Sequence, residues 1–322
     1  MLRPAAPART DRALAGVALM LAFCLTAPLL DASAKLAAQT MPTGQITAAR
    51  FVGQGLLMLP VVLALRLSFA MGARDAGLSL LRAILLILST YSFVAAIAVM
   101  PIADALAIVF VEPFILLLLG WLLFGESVGP RRIGACAVGF AGALLVIRPS
   151  LAAFGPVALW PLACALFFAF YMLVTRALGR HMHPVAMQFH TAWMGAAVLI
   201  PLLWAGPALG LRSFAPIRPD AAGWLWLAGV GLWATVSHMA ITWALRFAPA
   251  ATLAPLHYLE LVAAVAVGYL VFGDFPALWT WAGIALIAGS GLYMVHRERV
   301  LARAATPRRA QDGALSLEQM PR

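Results

Sequence analysis

Charge is scarce in this sequence: of 322 residues, 11% are charged and 64% are hydrophobic, with a mean hydropathy of +0.95. A chain so poor in polar surface cannot coat a soluble globule of this size, so it belongs in lipid. Cysteine is nearly absent as well. Cys24, Cys136 and Cys164 lie inside apolar runs without CxxC spacing, which excludes a disulfide framework and leaves them as small buried hydrophobes. Lysine is reduced to Lys35 alone, outside any Gly-rich phosphate loop, so this polypeptide has no Walker A motif and does not hydrolyse ATP. The histidines lack the spacing of a metal site, and nothing points to a cofactor. The formal charge of +10 comes from arginines scattered between apolar runs rather than gathered on one face, which argues against a nucleic-acid partner.

What is present is a succession of apolar runs. At about 20 residues per crossing, ten helices are expected near residues 13–38, 43–65, 79–99, 102–124, 132–148, 156–177, 185–205, 222–245, 250–272 and 277–295. The first run is too long for the apolar segment of a cleaved signal peptide, so Ala32-Ser33-Ala34 is not read as a cleavage site. With the N-terminus inside, Arg3, Arg9, Arg12, Arg66, Arg74, Arg82, Arg131, Arg132, Arg176, Arg180, Arg246 and the arginines from Arg297 onward fall on the cytoplasmic side. Only Lys35, Arg148, Arg212 and Arg218 fall outside, and Arg50 lies within a helix. The positive-inside rule then places both termini in the cytoplasm.

The chain also repeats itself. Phe124-Gly125-Glu126 recurs as Phe272-Gly273-Asp274, and the same offset carries Pro101 to Pro249, Glu112 to Glu260 and Gly120 to Gly268. Five crossings per half make the second half enter from the opposite side. The expected fold is therefore an all-α integral membrane protein of two inverted five-helix repeats, with substrate near the midplane between them. The paired Pro-initiated helices ending in Phe-Gly-acid, each followed by a Gly/Ala-rich helix, resemble the EamA-type ten-helix branch of the drug/metabolite transporter superfamily. The two copies would occupy 13–148 and 156–296, between a short N-terminal tail (1–12) and a basic C-terminal tail (297–322), both cytoplasmic.

Within that branch, Met100-Pro101-Ile102-Ala103-Asp104-Ala105, Val111-Glu112-Pro113 and the run from Leu253 to Glu260 are similar to the bacterial riboflavin importers. The resemblance implies a secondary carrier in the inner membrane with a small-molecule substrate. Alternatives are export of amino acids or other metabolites, uptake of a nucleoside-like metabolite such as S-adenosylmethionine and, more remotely, an integral membrane enzyme.

Several residues could carry the transport chemistry. Glu112 and Glu260 lie at repeat-equivalent, midmembrane positions, where a lipid-exposed carboxylate would cost about 2.5 to 3.5 kcal/mol even on insertion scales. They are read as a polar site or proton carrier, against a structural carboxyl bonded to the other half. Asp31, Lys35, Arg50 and Asp104 fall at one depth, with Asp31 and Lys35 spaced to pair. They are read as an outer gate, against snorkelling to the headgroups. His190, Trp193, His238, Trp243, His257 and Tyr258 could stack on and hydrogen-bond a planar heteroaromatic substrate, or simply pack. Ala137 and Ala141 with Ala285 and Gly289 offer small-residue faces for helix packing or a homodimer.

Overall fold

The computed structural model describes residues 9–124, 130–179, 181–248, 253, 256–294 and 296, and among them the regular structure is helical throughout. The helices are α1 (Arg9–Ala38), α2 (Thr43–Ala64), α3 (Ala73–Ile97), α4 (Ile102–Val109), α5 (Glu112–Phe124) and α6 (Pro130–Phe154). After a 3-10 turn (Gly155–Leu159) come α7 (Trp160–Leu178), α8 (Pro184–Ala205), α9 (Ala221–Phe247) and α10 (Leu259–Phe272), then α11 (Leu278–Met294). Among the described residues, seven helical stretches are long and apolar enough to cross a membrane, one of them the 46-residue run through α6 and α7. α10 and α11 are shorter apolar helices.

The distribution of side chains is that of a protein solvated by lipid. Leu278 (81% exposed), Trp204 (86%) and Leu270 (80%) head a broad set of outward-facing apolar residues, far more than a soluble monomer displays. The interior meanwhile buries Arg50, Gln54, Ser79, Arg82, Ser89, Thr90, Gln188, Thr191 and Glu260.

Local chemistry ends the helices. The Asp220 carboxylate accepts from the Gly223 amide at 2.7 Å and caps α9. Gly273, at φ 72°, takes the left-handed conformation that closes α10, and the Asp274 amide donates back to the Gly268 carbonyl at 3.1 Å. This gives the Phe-Gly-acid motif a physical meaning: the glycine stops the helix and the acid is delivered at its end. The matching Gly125-Glu126 lies outside the described residues, as do Arg180, Pro249, Thr252, Pro255 and both terminal tails beyond Arg9 and His296.

α1 packs along α9 and α10, α2 lies between α8 and α9, and α3 lies against α7 and α8, so the first half is bound to the second throughout. α2 crosses α9 so closely at Gly53 and Gly231 that a Cβ on Gly53 would lie 2.8 Å from the Gly231 Cα. Two expectations are corrected here. α3 begins at Ala73 rather than near 79, so Arg82 sits inside the bundle with no exposure and is no part of the cytoplasmic charge asymmetry. And α6 meets α11 through Gly142 and Gly283, where an added Cβ on Gly283 would lie 2.7 Å from the Gly142 carbonyl oxygen. Ala137, Ala141, Ala285 and Gly289 are exposed instead.

Candidate functional site

The span that begins at Ile102 is broken where function would want it. Pro113 has no N–H to offer the Val109 carbonyl, and the chain leaves α-helical geometry at Phe110 and Val111 before α5 restarts at Glu112. In the second half the turn bearing Leu256 and His257 tightens at Tyr258, which keeps a right-handed helical backbone (φ −65°, ψ −14°) and whose carbonyl accepts from the Leu261 amide at 3.2 Å, and α10 starts one residue before Glu260. Phe110 and Tyr258 are related by the repeat offset, and their rings meet at 5.3 Å. Both irregular turns therefore meet inside the bundle.

Around them lies a polar set drawn from both halves. His257 Nε2 pairs with Glu260 Oε2 at 2.9 Å. The His257 ring is flanked by Phe23 (5.4 Å) and Phe110 (5.2 Å). Glu112 lies within electrostatic reach of His257 and Tyr258, and its Oε1 is buried without a hydrogen-bond partner. Cys24 Sγ donates to the Leu256 carbonyl at 3.3 Å, tying α1 to the turn before α10. Asp31, one turn from Lys35 on α1, lies within electrostatic reach of Glu260 and Arg50.

Arg50 continues the set. Its Nη1 donates to Thr90 Oγ1, and its Nη2 donates to His238 Nε2 at 2.6 Å, which puts the neutral His238 proton on Nδ1. Arg82, within electrostatic reach of His238, spends all five N–H groups on neutral acceptors. Nε donates to Thr175 at 2.8 Å, and Nη1 to the Met187 carbonyl at 3.2 Å and to Thr191. Nη2 donates to Tyr171 and to Gln188 Oε1 at 3.4 Å. The guanidinium lies 4.4 Å from the Tyr171 ring centroid.

The four charges expected at one depth separate into two groups. Lys35 pairs with Asp274 at 2.7 Å rather than with Asp31, donates to the Met100 carbonyl at 3.1 Å and lies 4.7 Å from the Phe272 ring centroid. Asp104 belongs with that end, beside Lys35, Asp274 and Thr280, and its Oδ1 is a buried orphan. Asp31 and Arg50 belong to the deeper set, and no ion pair among the described residues joins them. The Lys35–Asp274 contact joins the two halves at one end. At the other end Asp75 of the first half meets His181 of the second at 3.1 Å.

His190, Trp193 and Trp243 stand apart from the centre. Trp193 Nε1 donates to His190 Nδ1 at 3.0 Å while its own ring is 44% exposed. Trp243 lies beside Arg246 and Phe247 near one end of α9. His238, His257 and Tyr258 are the aromatic candidates that reach the polar set.

The EamA-like transporter family matches residues 14–148 and 155–295. The chain belongs to that family. A riboflavin transporter from Rhizobium johnstonii is 34% identical over 219 residues, covering 68% of this chain and 70% of its own. An S-adenosylmethionine uptake transporter from Rickettsia prowazekii is 22% identical, covering 88% and 93%. A pseudopaline exporter from Pseudomonas aeruginosa is 26% identical, covering 84% and 93%. This EamA-like protein is accordingly a multi-pass membrane transporter. Its relatives differ in substrate and direction while sharing the frame, as expected when function resides in a few interior side chains.

Thr90 carries no mark in the sequence reading, Arg82 enters it only as a cytoplasmic charge, and Asp274 only as the acid of the repeated Phe-Gly-acid motif. A signal for two of them exists: Ser79, Arg82, Leu86 and Ser89 follow a three-four spacing on α3, with Thr90 adjoining, and such a stripe in a membrane helix marks the face turned inward. For the Lys35–Asp274 contact, Lys35→Met is expected to open that end. Single cysteines placed deeper along α1 should then react about tenfold faster with an impermeant reagent, because removing a contact made in one state shifts the equilibrium by that contact's free energy. Unchanged labelling would reduce the pair to a surface bond.

Proposed function

We propose that this chain is a secondary carrier that takes up riboflavin across the bacterial inner membrane by alternating access. In this reading ten crossings form two inverted halves with both termini in the cytoplasm. What supports it is the lapse of regular helix at Phe110 and Tyr258, residues one repeat offset apart whose rings meet inside the bundle, with Glu112, His257 and Glu260 beside them. Irregular backbone at membrane depth is tolerated only where it is buried in protein or lines a cavity, and transporters place it at their substrate site.

Identity of 34% with a riboflavin transporter supports the substrate. So does the chemistry, since Phe110, His257 and Tyr258 give stacking faces and the charged groups beside them give directed hydrogen bonds. Cross-half contacts at both ends, Lys35 with Asp274 and Asp75 with His181, fit a cycle in which one end opens at a time.

Expression in cells that lack their own importers, supplied with a panel of radiolabelled vitamins, nucleosides and amino acids, tests the substrate. Saturable riboflavin uptake is expected. Preference for S-adenosylmethionine would favour the second reading. Orientation has its own test. A reporter fused after Arg322 should report cytoplasm and one in the 206–221 loop the opposite side; a C-terminus outside would overturn the inverted arrangement.

A further inference from the structure

Arg50 is 7% exposed and spends two of its five N–H groups, on Thr90 and His238, while Nε is buried without a partner. Thr90 and His238 hold the guanidinium from α3 and α9, so it is aimed rather than loose. Asp31, on α1, is only partly buried and makes no hydrogen bond or ion pair among the described residues, although it lies within electrostatic reach of Arg50. Two opposite charges deep in a membrane protein normally close on each other, because an unpaired charge there is costly. Here a rigid donor and an open acceptor are held apart, as two halves of an unfilled hydrogen-bonding site.

The surroundings define what fills it. An anion would meet Asp31, Glu260 and Glu112, and a cation would meet Arg50 with Arg82 behind it. An uncharged edge that offers a carbonyl oxygen to Arg50 and an N–H to Asp31 leaves neither group unpaired. A cyclic imide, an N–H between two carbonyls, has that pattern, and the pyrimidinedione ring of a flavin carries one.

We infer that Arg50 and Asp31 together read the imide edge of an uncharged heterocyclic substrate, Arg50 donating to a ring carbonyl and Asp31 accepting from the imide N–H. His238 acts as a positioning residue that holds Arg50 in line. The inference rests on the riboflavin reading and adds the residues that set specificity.

The test compares riboflavin with its N3-methyl analogue, which keeps both carbonyls and the ring system but has no imide N–H. Sites built around a substrate N–H reject analogues that lack it, so the wild-type carrier should prefer riboflavin by about tenfold or more in uptake. Asp31→Ala, checked for membrane level, should bring the two flavins to within about twofold of each other, and Arg50→Ala should raise KM for both. Asp31→Leu, close in volume and without an acceptor, serves as a second variant should the alanine form fail to reach the membrane, and the wild-type comparison needs no variant at all. Equal uptake of the two flavins by the wild type overturns the assignment while leaving riboflavin transport in place. Uptake of neither flavin overturns the riboflavin reading and this assignment with it.

Discussion

Arg82→Met is expected to destabilise the detergent-solubilised protein by about 3 kcal/mol or more. Two effects oppose each other. Removing a buried cation without a carboxylate partner relieves a desolvation cost. But it also strips donors from acceptors on two other helices: Thr175 and Tyr171 on α7, and the Met187 carbonyl, Gln188 and Thr191 on α8. Hydrogen bonds to a charged donor contribute about 1.5 to 3 kcal/mol each, and orphaned acceptors in a protein interior cost about 1 to 3 kcal/mol. The loss should win. Arg82→Lys keeps the charge but concentrates its donors at one point, so an intermediate loss is expected. Thermal unfolding followed by intrinsic fluorescence checks the order; a methionine variant as stable as the wild type would mean that water already satisfies these acceptors.

The second large effect concerns Glu112. A carboxyl with an unpartnered oxygen buried inside the bundle is costly, and glutamine or leucine would be retained more easily there. Its neighbours His257 and Tyr258 sit at the turn before α10, and His257 is already paired with Glu260. Glu112 is therefore read as the group that exchanges a proton during the cycle. Glu112→Gln should lower net accumulation by about tenfold or more while exchange of preloaded substrate stays within about threefold, because exchange needs no net proton movement. Glu260→Gln should impair both, since it also breaks the 2.9 Å pair with His257. Wild-type accumulation by Glu112→Gln across the range from about pH 5 to 8 would remove the carboxyl from the coupling step.

Much of the frame was legible because lipid imposes a simple code. Most apolar runs match observed helices to within a few residues, but the run at 79–99 begins six residues earlier, that at 132–148 ends six residues later and that at 102–124 divides at Phe110 and Val111; the repeat offset led to Glu112 and Glu260. What was not legible follows from side-chain reach. Arg82 looked like a helix-end arginine because the start of α3 was placed six residues late, and a boundary shift of that size separates a snorkelling group from a buried one. Asp31 and Lys35 have the spacing of a helical pair, yet the preferred partner of Lys35 is 239 residues away, delivered by the αL turn at Gly273. Such a contact depends on how the halves dock, which periodicity does not encode. Ala137 and Ala141 have the spacing of a packing face but turn outward, which rules them out of the α6–α11 contact and leaves the homodimer reading untouched; the approach at Gly142 and Gly283 is set by a rotation of α6 that hydrophobicity leaves open in a helix apolar all round.

The most direct test of the account is transport by the purified protein in sealed proteoliposomes loaded at one pH and diluted into another. The expected result is riboflavin recovered chemically unchanged from the lumen, above its external concentration, only while the proton gradient stands, and with Glu112→Gln vesicles equilibrating without accumulating. Failure of riboflavin and the other panel solutes to enter, or recovery of a chemically altered product, would contradict the account.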